Sequence, residues 1–378
     1  MIITKETSPH LRRKATVARM MGDVLIALAP TLIFSFVVYP INTAITLVIS
    51  IAIMLLCEFV YIGLKNMMPR DDKKHSFKER FICAYKDKFT RNNVLTPLIS
   101  AVIFTLIMPA GAPIYAIIVG AFVGIILGKL VFGGLGSNIF NPAVVGMLVA
   151  KLCFSQQYAV YVDTFYFTMA DTVSGPTPLG FINGGNLTNI FNDINQYQLF
   201  DLFFGRIPGT LGEVYKITIL IGLIYLLVRR SVDFRIVVSY LGTFVILMLA
   251  AGLAVYLNNN SINPFIFMLY NLLSGGVLFG ATFMLTDPVT SPINSPSRII
   301  YGMVAAVVTV FIRLFAALPE GVGFSILIAN MVAVALDHYE WSNPRYTWKK
   351  ILAMALIVVI STLTTFLLLQ FGGYLHVQ

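Results

Sequence analysis

Apolar runs recur along this chain from residue 21 almost to its end, separated by polar, basic or Gly/Pro-rich connections. In order they are Met21–Tyr39, Ile41–Leu64, Val94–Met108, a run ending near Phe132, a short one ending at Phe154, and Val214–Val228. Five more follow at Ile236–Leu257, Phe265–Leu285, Ile299–Leu318, Gly321–Leu336 and Ile351–Leu369. Several reach the roughly 20 residues that cross a hydrocarbon core, where a helix satisfies its own backbone groups. The pattern predicts an all-α polytopic membrane protein of about ten transmembrane helices, plus one extra C-terminal transmembrane helix. One polar segment, from about Gln156 to Glu213, breaks the rhythm. Inside it, Gly175 permits positive φ, while Pro176 and Pro178 fix their own φ and push their neighbours towards extended geometry. The Ser174-Gly175-Pro176-Thr177-Pro178 turn would hold the Thr177 hydroxyl out from the backbone. Taken alone, it is an ordinary loop turn.

Composition agrees with the pattern. The chain is 58% hydrophobic and 11% charged, against about 25% charged in soluble domains. Its formal charge of +9 gathers in a few connections: Lys65–Arg91 alone holds nine Lys/Arg against four Asp/Glu. With the basic N-terminal twenty residues, Arg229–Arg235 and Asp337–Lys350, these read as cytoplasmic by the positive-inside rule, not as a nucleic-acid surface. Five crossings then deliver the Thr177 stretch to the extracytoplasmic face, so count and charge agree. No cleavable leader is expected, and the first apolar run would be retained. Cys57, Cys83 and Cys153 lack the spacing of an iron–sulfur or zinc site, and no nucleophile–His–acid set is visible. Neither a metal site nor a catalytic residue is assigned.

The second half weakly repeats the first. Leu95-Thr96-Pro97 through Pro109 resembles Leu273-Ser274-Gly275 through Pro288, and Gly128-Lys129-Leu130 resembles Ile312-Arg313-Leu314. Two five-span units must face opposite ways, which makes an inverted repeat. The expected organisation is a cytoplasmic segment 1–20, a first repeat 21–155, an extracytoplasmic loop 156–213, a second repeat 214–336, and a cytoplasmic loop with the extra helix, 337–378.

Three places could carry chemistry. Gly133–Pro142 puts glycines and two asparagines between membrane runs, where polar backbone must be buried in protein or face a cavity. Asn138 and Asn141 can both donate and accept, which suits the edge of a planar heterocycle; a helix cap with Pro142 near N1 fits as well, and the residues leave both open. Thr286, Asp287 and Ser291 end another apolar run, as a Pro turn at the interface or as a polar vestibule for a cofactor or cation. Gly205–Glu213 is a Gly-rich turn before a helix, able to hold phosphate with help from Arg206. Asp23 and Glu58 fall inside apolar runs, near the cytoplasmic ends, where snorkelling to water is the commoner arrangement.

Together these residues resemble the D subunit of the Rnf ferredoxin:NAD oxidoreductase complex. The resemblance lies in Ser8-Pro9-His10-Leu11-Arg12, Asp23–Leu28, Phe132–Gly136, Asn138–Ala143, Gly209–Glu213 and Ala281–Pro292, in order along nearly the whole chain. The related B subunit of the sodium-pumping NADH:quinone reductase has a longer N-terminal extension, so the Rnf protein is the better match. The resemblance implies FMN joined by a phosphoester to Thr177 within a loop that includes Asp171, Ser174, Gly175 and Pro176; the family's usual Ser-Gly-Ala-Thr carries a proline here. It also implies noncovalent riboflavin near Asn138, Asn141, Gly133 and Gly134; Thr286, Asp287, Ser291 and Glu213 are, from the residues themselves, candidates for a cofactor vestibule. The implied setting is the bacterial inner membrane, among lipid and the A, B, C, E and G subunits of the Rnf complex, with a flavin transferase for maturation and no nucleic acid. The implied work is electron transfer coupled to Na⁺ or H⁺ translocation, with NAD and ferredoxin bound elsewhere. The helix after Lys350 lies outside the family pattern. A solute channel or secondary transporter, and a flavin-free scaffold, are the competing readings; both predict a chain without covalent flavin.

Overall fold

The computed structural model describes residues 16–66, 85, 89–158, 160–161, 177–179, 199–258, 263–316, 320–338 and 343–371. Asp171, Ser174, Gly175 and Pro176 lie outside them. Each expected apolar run falls on helix. The first half comprises α1 (Val17–Val38), α2 (Pro40–Asn66), α3 (Arg91–Ile107), α4 (Ile114–Ile125, continued by a π turn Ile126–Leu130) and α5 (Pro142–Cys153). The second comprises α6 (Lys216–Arg229), α7 (Phe234–Asn258), α8 (Pro264–Leu273), α9 (Val277–Phe279, continued by a π turn Gly280–Met284), α10 (Ser295–Phe315) and α11 (Val322–Leu336). Last comes α12 (Trp348–Phe371).

Helices α1, α2, α7, α10 and α12 are long and apolar enough to cross a bilayer. The eighth run is not one straight span: α8 and the α9 segment meet at 63° across Ser274–Gly276, where Gly275 takes φ +64. That conformation is open to glycine at little cost and expensive for other residues. The remaining helices are shorter. Outward side chains on α1 and α2, such as Ile33, Val37, Ile41, Val48 and Leu56, are exposed, as expected of faces that meet lipid tails.

Local sequence sets several helix starts. Asn141 caps α5 by accepting from Ala143 N at 3.1 Å, and Pro142 fills N1, where its missing N–H costs nothing. Asn263 and Pro264 start α8 in the same way. Packing then divides the chain into two groups. Helix α2 packs on α3 and α4, and α4 on α5; α7 packs on α8 and α10, and α10 on α11. Helices α1 and α6 join the groups, as do α5 and α11. Helix α12 leans on α7 and α10, through a strip that includes Ser361, Thr365 and Leu369.

Two acids depart from expectation. Asp23 and Glu58 do not reach for water but are each 3% exposed. Asp23 pairs with Arg229 at 3.1 Å and accepts from Ser231 Oγ at 2.6 Å. Glu58 pairs with Lys129 at 2.9 Å. Neighbouring helices supply the compensating charge that snorkelling would otherwise provide.

Candidate functional site

Two of the clefts among the described residues bear on the expected site residues. The first, about 640 Å³, lies among the starts of α1 and α3, the π turn after α4, the segment before α5, and the segment after the second π turn. Its position depends on how closely α4 and α5 approach. Gly120, Gly124 and Gly128 line one face of α4 at four-residue spacing. A Cβ on Gly124 would sit 2.7 Å from Pro142 O, and one on Gly146 2.5 Å from Gly120 O. Only glycine permits this contact, which pins the first turn of α5, and with it Asn141, beside the end of α4. Between them the chain reverses through Gly133, Gly134 and Gly136, all at positive φ.

Asn138 and Asn141 both line the first cavity, and local structure makes them complementary. Asn138 uses its amide on Phe140 O at 3.2 Å, which leaves its carbonyl oxygen to accept. Asn141 commits its oxygen to the helix cap, which leaves its amide to donate. Cap and cavity wall, alternatives in the sequence, are here the same residue. Thr286 and Asp287 also line this cavity, with Thr96, Ser100, Thr282 and Lys129. Asp287 accepts from Val289 N at 3.2 Å, an Asx turn that fixes the carboxylate. Met21, Ile99, Ile103 and Phe283 supply apolar wall. Gly133 and Gly134 are not in the lining; they shape the reversal, tied to α2 by Lys65 Nζ donating to Gly133 O at 2.9 Å.

The second cavity, about 440 Å³, contains Thr177 in its wall, with Tyr161, Glu213, Lys216, Gly275 and Glu320. The four residues expected to form one vestibule therefore separate. Thr286 and Asp287 face the first cavity, Glu213 the second, and Ser291 lines neither, being held in the turn by donating its N–H to Asp287 O. The Gly205–Glu213 segment is docked on the break after α3: Leu211 N donates to Met108 O at 3.0 Å and Gly212 N to Leu106 O at 2.7 Å. This backbone pairing positions Thr210 and Glu213 at the cavity, while Arg206 is exposed and outside its lining.

Sequence reasoning missed the charges around these cavities. Lys216, 1% exposed, donates to Glu213 O and to Gly275 O. Arg313, fully buried, donates to Asn271 O at 2.6 Å, and Glu320 accepts from Gly276 N at 2.8 Å. All converge where α8 breaks. The available signal was the expense of a charge inside an apolar run; for Lys129 and Arg313 it was also their matched places in the weak internal likeness. The two cavities sit at opposite ends of α6, with Lys216 at one and Leu226 at the other. Ten residues of helix separate them by about 15 Å.

Against known proteins, residues 4–345 match the profile of the NQR2, RnfD, RnfE family; α12 begins beyond the matched region. The D subunit of the Na(+)-translocating ferredoxin:NAD(+) oxidoreductase complex of Acetobacterium woodii is 28% identical over 89% of this chain and 93% of that protein. The D subunit of the ion-translocating oxidoreductase complex of Haemophilus influenzae is 26% identical over 90% and 96%. The B subunit of the Na(+)-translocating NADH-quinone reductase of Chromohalobacter salexigens is 35% identical over 64% of this chain and 57% of that protein. The chain thus matches less than two thirds of the length of that quinone-reductase protein.

Proposed function

Because the chain belongs to the NQR2, RnfD, RnfE family, we propose that it is the electron-carrying D subunit, within the membrane, of an ion-translocating ferredoxin:NAD oxidoreductase. The observation that carries this reading is the nearly end-to-end likeness to the D subunits of such complexes, one of them matched over 93% of its length. In this reading Thr177 bears FMN through a phosphoester, attached by a flavin transferase, and riboflavin occupies the first cavity. The partners are the A, B, C, E and G subunits, and the complex moves Na⁺ or H⁺.

The residues of the first cavity suit a flavin. Its apolar walls with a few convergent polar groups are the usual composition of a small-ligand site. Asn138 presents an acceptor, Asn141 a donor and Asp287 a second acceptor, the kind of set that orients a heterocycle bearing both carbonyl oxygens and N–H. Ile99, Ile103 and Phe283 exclude water from its faces. When bound, the flavin supplies one- and two-electron chemistry, which no side chain here provides. Thr177 in the wall of the second cavity would put its tethered flavin at the far end of α6 from the first.

The proposed architecture is a pair of inverted five-helix repeats, 21–155 and 214–336, with the N-terminus in the cytoplasm and Thr177 outside a bacterial inner membrane. The matching packing of the two groups, α2 on α3 and α4 as α7 is on α8 and α10, and the buried cations Lys129 and Arg313, each near the end of its unit's fourth helix, support the repeat. The loop 156–213 then serves attachment, and α12 is an addition outside the family pattern. The test is a denaturing gel viewed under ultraviolet light after expression with a flavin transferase, backed by mass spectrometry of the Thr177 peptide. A fluorescent band that disappears in Thr177→Ala is expected. A colourless chain would favour the transporter or scaffold readings, and a band that survives the substitution would put the flavin elsewhere.

A further inference from the structure

The first cavity holds one cation that the proposed function leaves without a task. Lys129 lies in the π turn after α4 and is 2% exposed. Its ammonium donates to Glu58 Oε2 and to Thr96 Oγ1, each at 2.9 Å. Those bonds use two of three N–H donors and hold the head group in place. Lys129 lines the cavity whereas Glu58 does not, so the positive end of the pair faces the open space. Among the described residues the charged groups acting on it are Glu58, from α2, and Asp287, from across the cavity. A buried ion pair is poor evidence for stability on its own, and an ionisable group inside a membrane bundle points to function. Asp287, in the same lining, adds an acceptor to the charged donor.

We propose that Lys129 is a positioning residue for the flavin of the first cavity, its ammonium holding the ring's polar edge and stabilising the negative charge the ring gains on reduction. The inference rests on the reading that this cavity holds flavin. The oxidised ring takes up two electrons and one proton, the proton from solvent water, and becomes a monoanion. Lys129 stays protonated throughout and transfers nothing; the electrons come from the complex's redox chain or, in the test, from dithionite. A fixed positive charge next to the ring favours the reduced anion over the neutral oxidised form, because the interaction is stronger away from bulk water.

The test uses the full chain purified in detergent, in a Thr177→Ala background so that only noncovalently bound flavin is titrated. Lys129→Gln keeps donors for Glu58 and Thr96 but removes the charge, and Lys129→Arg keeps the charge. With flavin retained, Lys129→Gln should lower the midpoint potential by at least a tenfold loss in the reduction equilibrium, about 30 mV for a two-electron couple. Its potential should also fall more steeply with pH, since the reduced ring then takes a second proton. Lys129→Arg should stay near the parent. Loss of flavin in Lys129→Gln with retention in Lys129→Arg also supports the assignment. Retained flavin with unchanged potential and pH slope in Lys129→Gln overturns it, as does loss of flavin from both variants. A parent that releases no flavin at all is a different failure, because it removes the cofactor from the cavity.

Discussion

At the scale of single residues, this protein's polar groups act in pairs whose members come from different helices or serve two purposes. Asn141 is both helix cap and cavity wall. Asn141→Ala should therefore lose about 1 kcal/mol of helix stability together with the first cavity's amide donor. Asn138→Ala should remove only the acceptor. Thermal melting and acid-released flavin, measured together, separate the two: Asn141→Ala should lower both, Asn138→Ala mainly the flavin. Asp233, in the turn between α6 and α7, is held by Arg235 N at 2.9 Å and by the Arg298 and Arg235 guanidinium groups. Partial burial alone would raise its carboxyl, but these contacts outweigh it and hold the group below the ordinary 3.8. A depressed folded value means the contribution to stability is complete above the unfolded value and is lost as pH falls through the folded one. Melting curves between neutral and strongly acidic pH should show that loss in the parent and a weaker one in Asp233→Asn. Equal acid sensitivity in the two would contradict the assigned role.

At the scale of elements, two contacts do the positioning. The glycine face of α4 against α5 places the asparagine pair, and there is no room for a side chain at its centre. Gly124→Leu should push α5 outward and empty the first cavity of flavin, while the covalent band at Thr177 remains. Loss of both would mean the whole bundle had failed and not this contact. The second is the pairing of the Leu211–Gly212 backbone with the break after α3, together with the bend between α8 and α9. It gathers Glu213, Lys216 and Glu320 around the second cavity. Apolar length made α3 legible and joined α8 and α9 into one expected run. It said nothing of where their broken ends meet, because a break exposes backbone groups whose partners lie far away in sequence.

At the scale of the whole molecule, the two groups of helices meet through α1 with α6 and α5 with α11, and α12 packs on the outside of the second group. Its membrane window is 11% buried, and the family match stops at residue 345. A chain ending at Arg345 should keep both proposed flavins and lose thermal stability only modestly; loss of either would show that α12 takes part in the site. The amino-acid sequence alone determined the class of protein, the order and approximate limits of most of its helices, the glycine reversal before α5, and the asparagine pair that follows it. These follow from local causes: apolar length, helix capping, and glycine's freedom where φ is positive. Tertiary structure alone decided that Asp23 and Glu58 are paired, that Glu213 belongs with Thr177 and not with Asp287, and that Lys129 faces the first cavity. Each depends on which helices become neighbours, and apolar runs of similar composition carry almost no information about that.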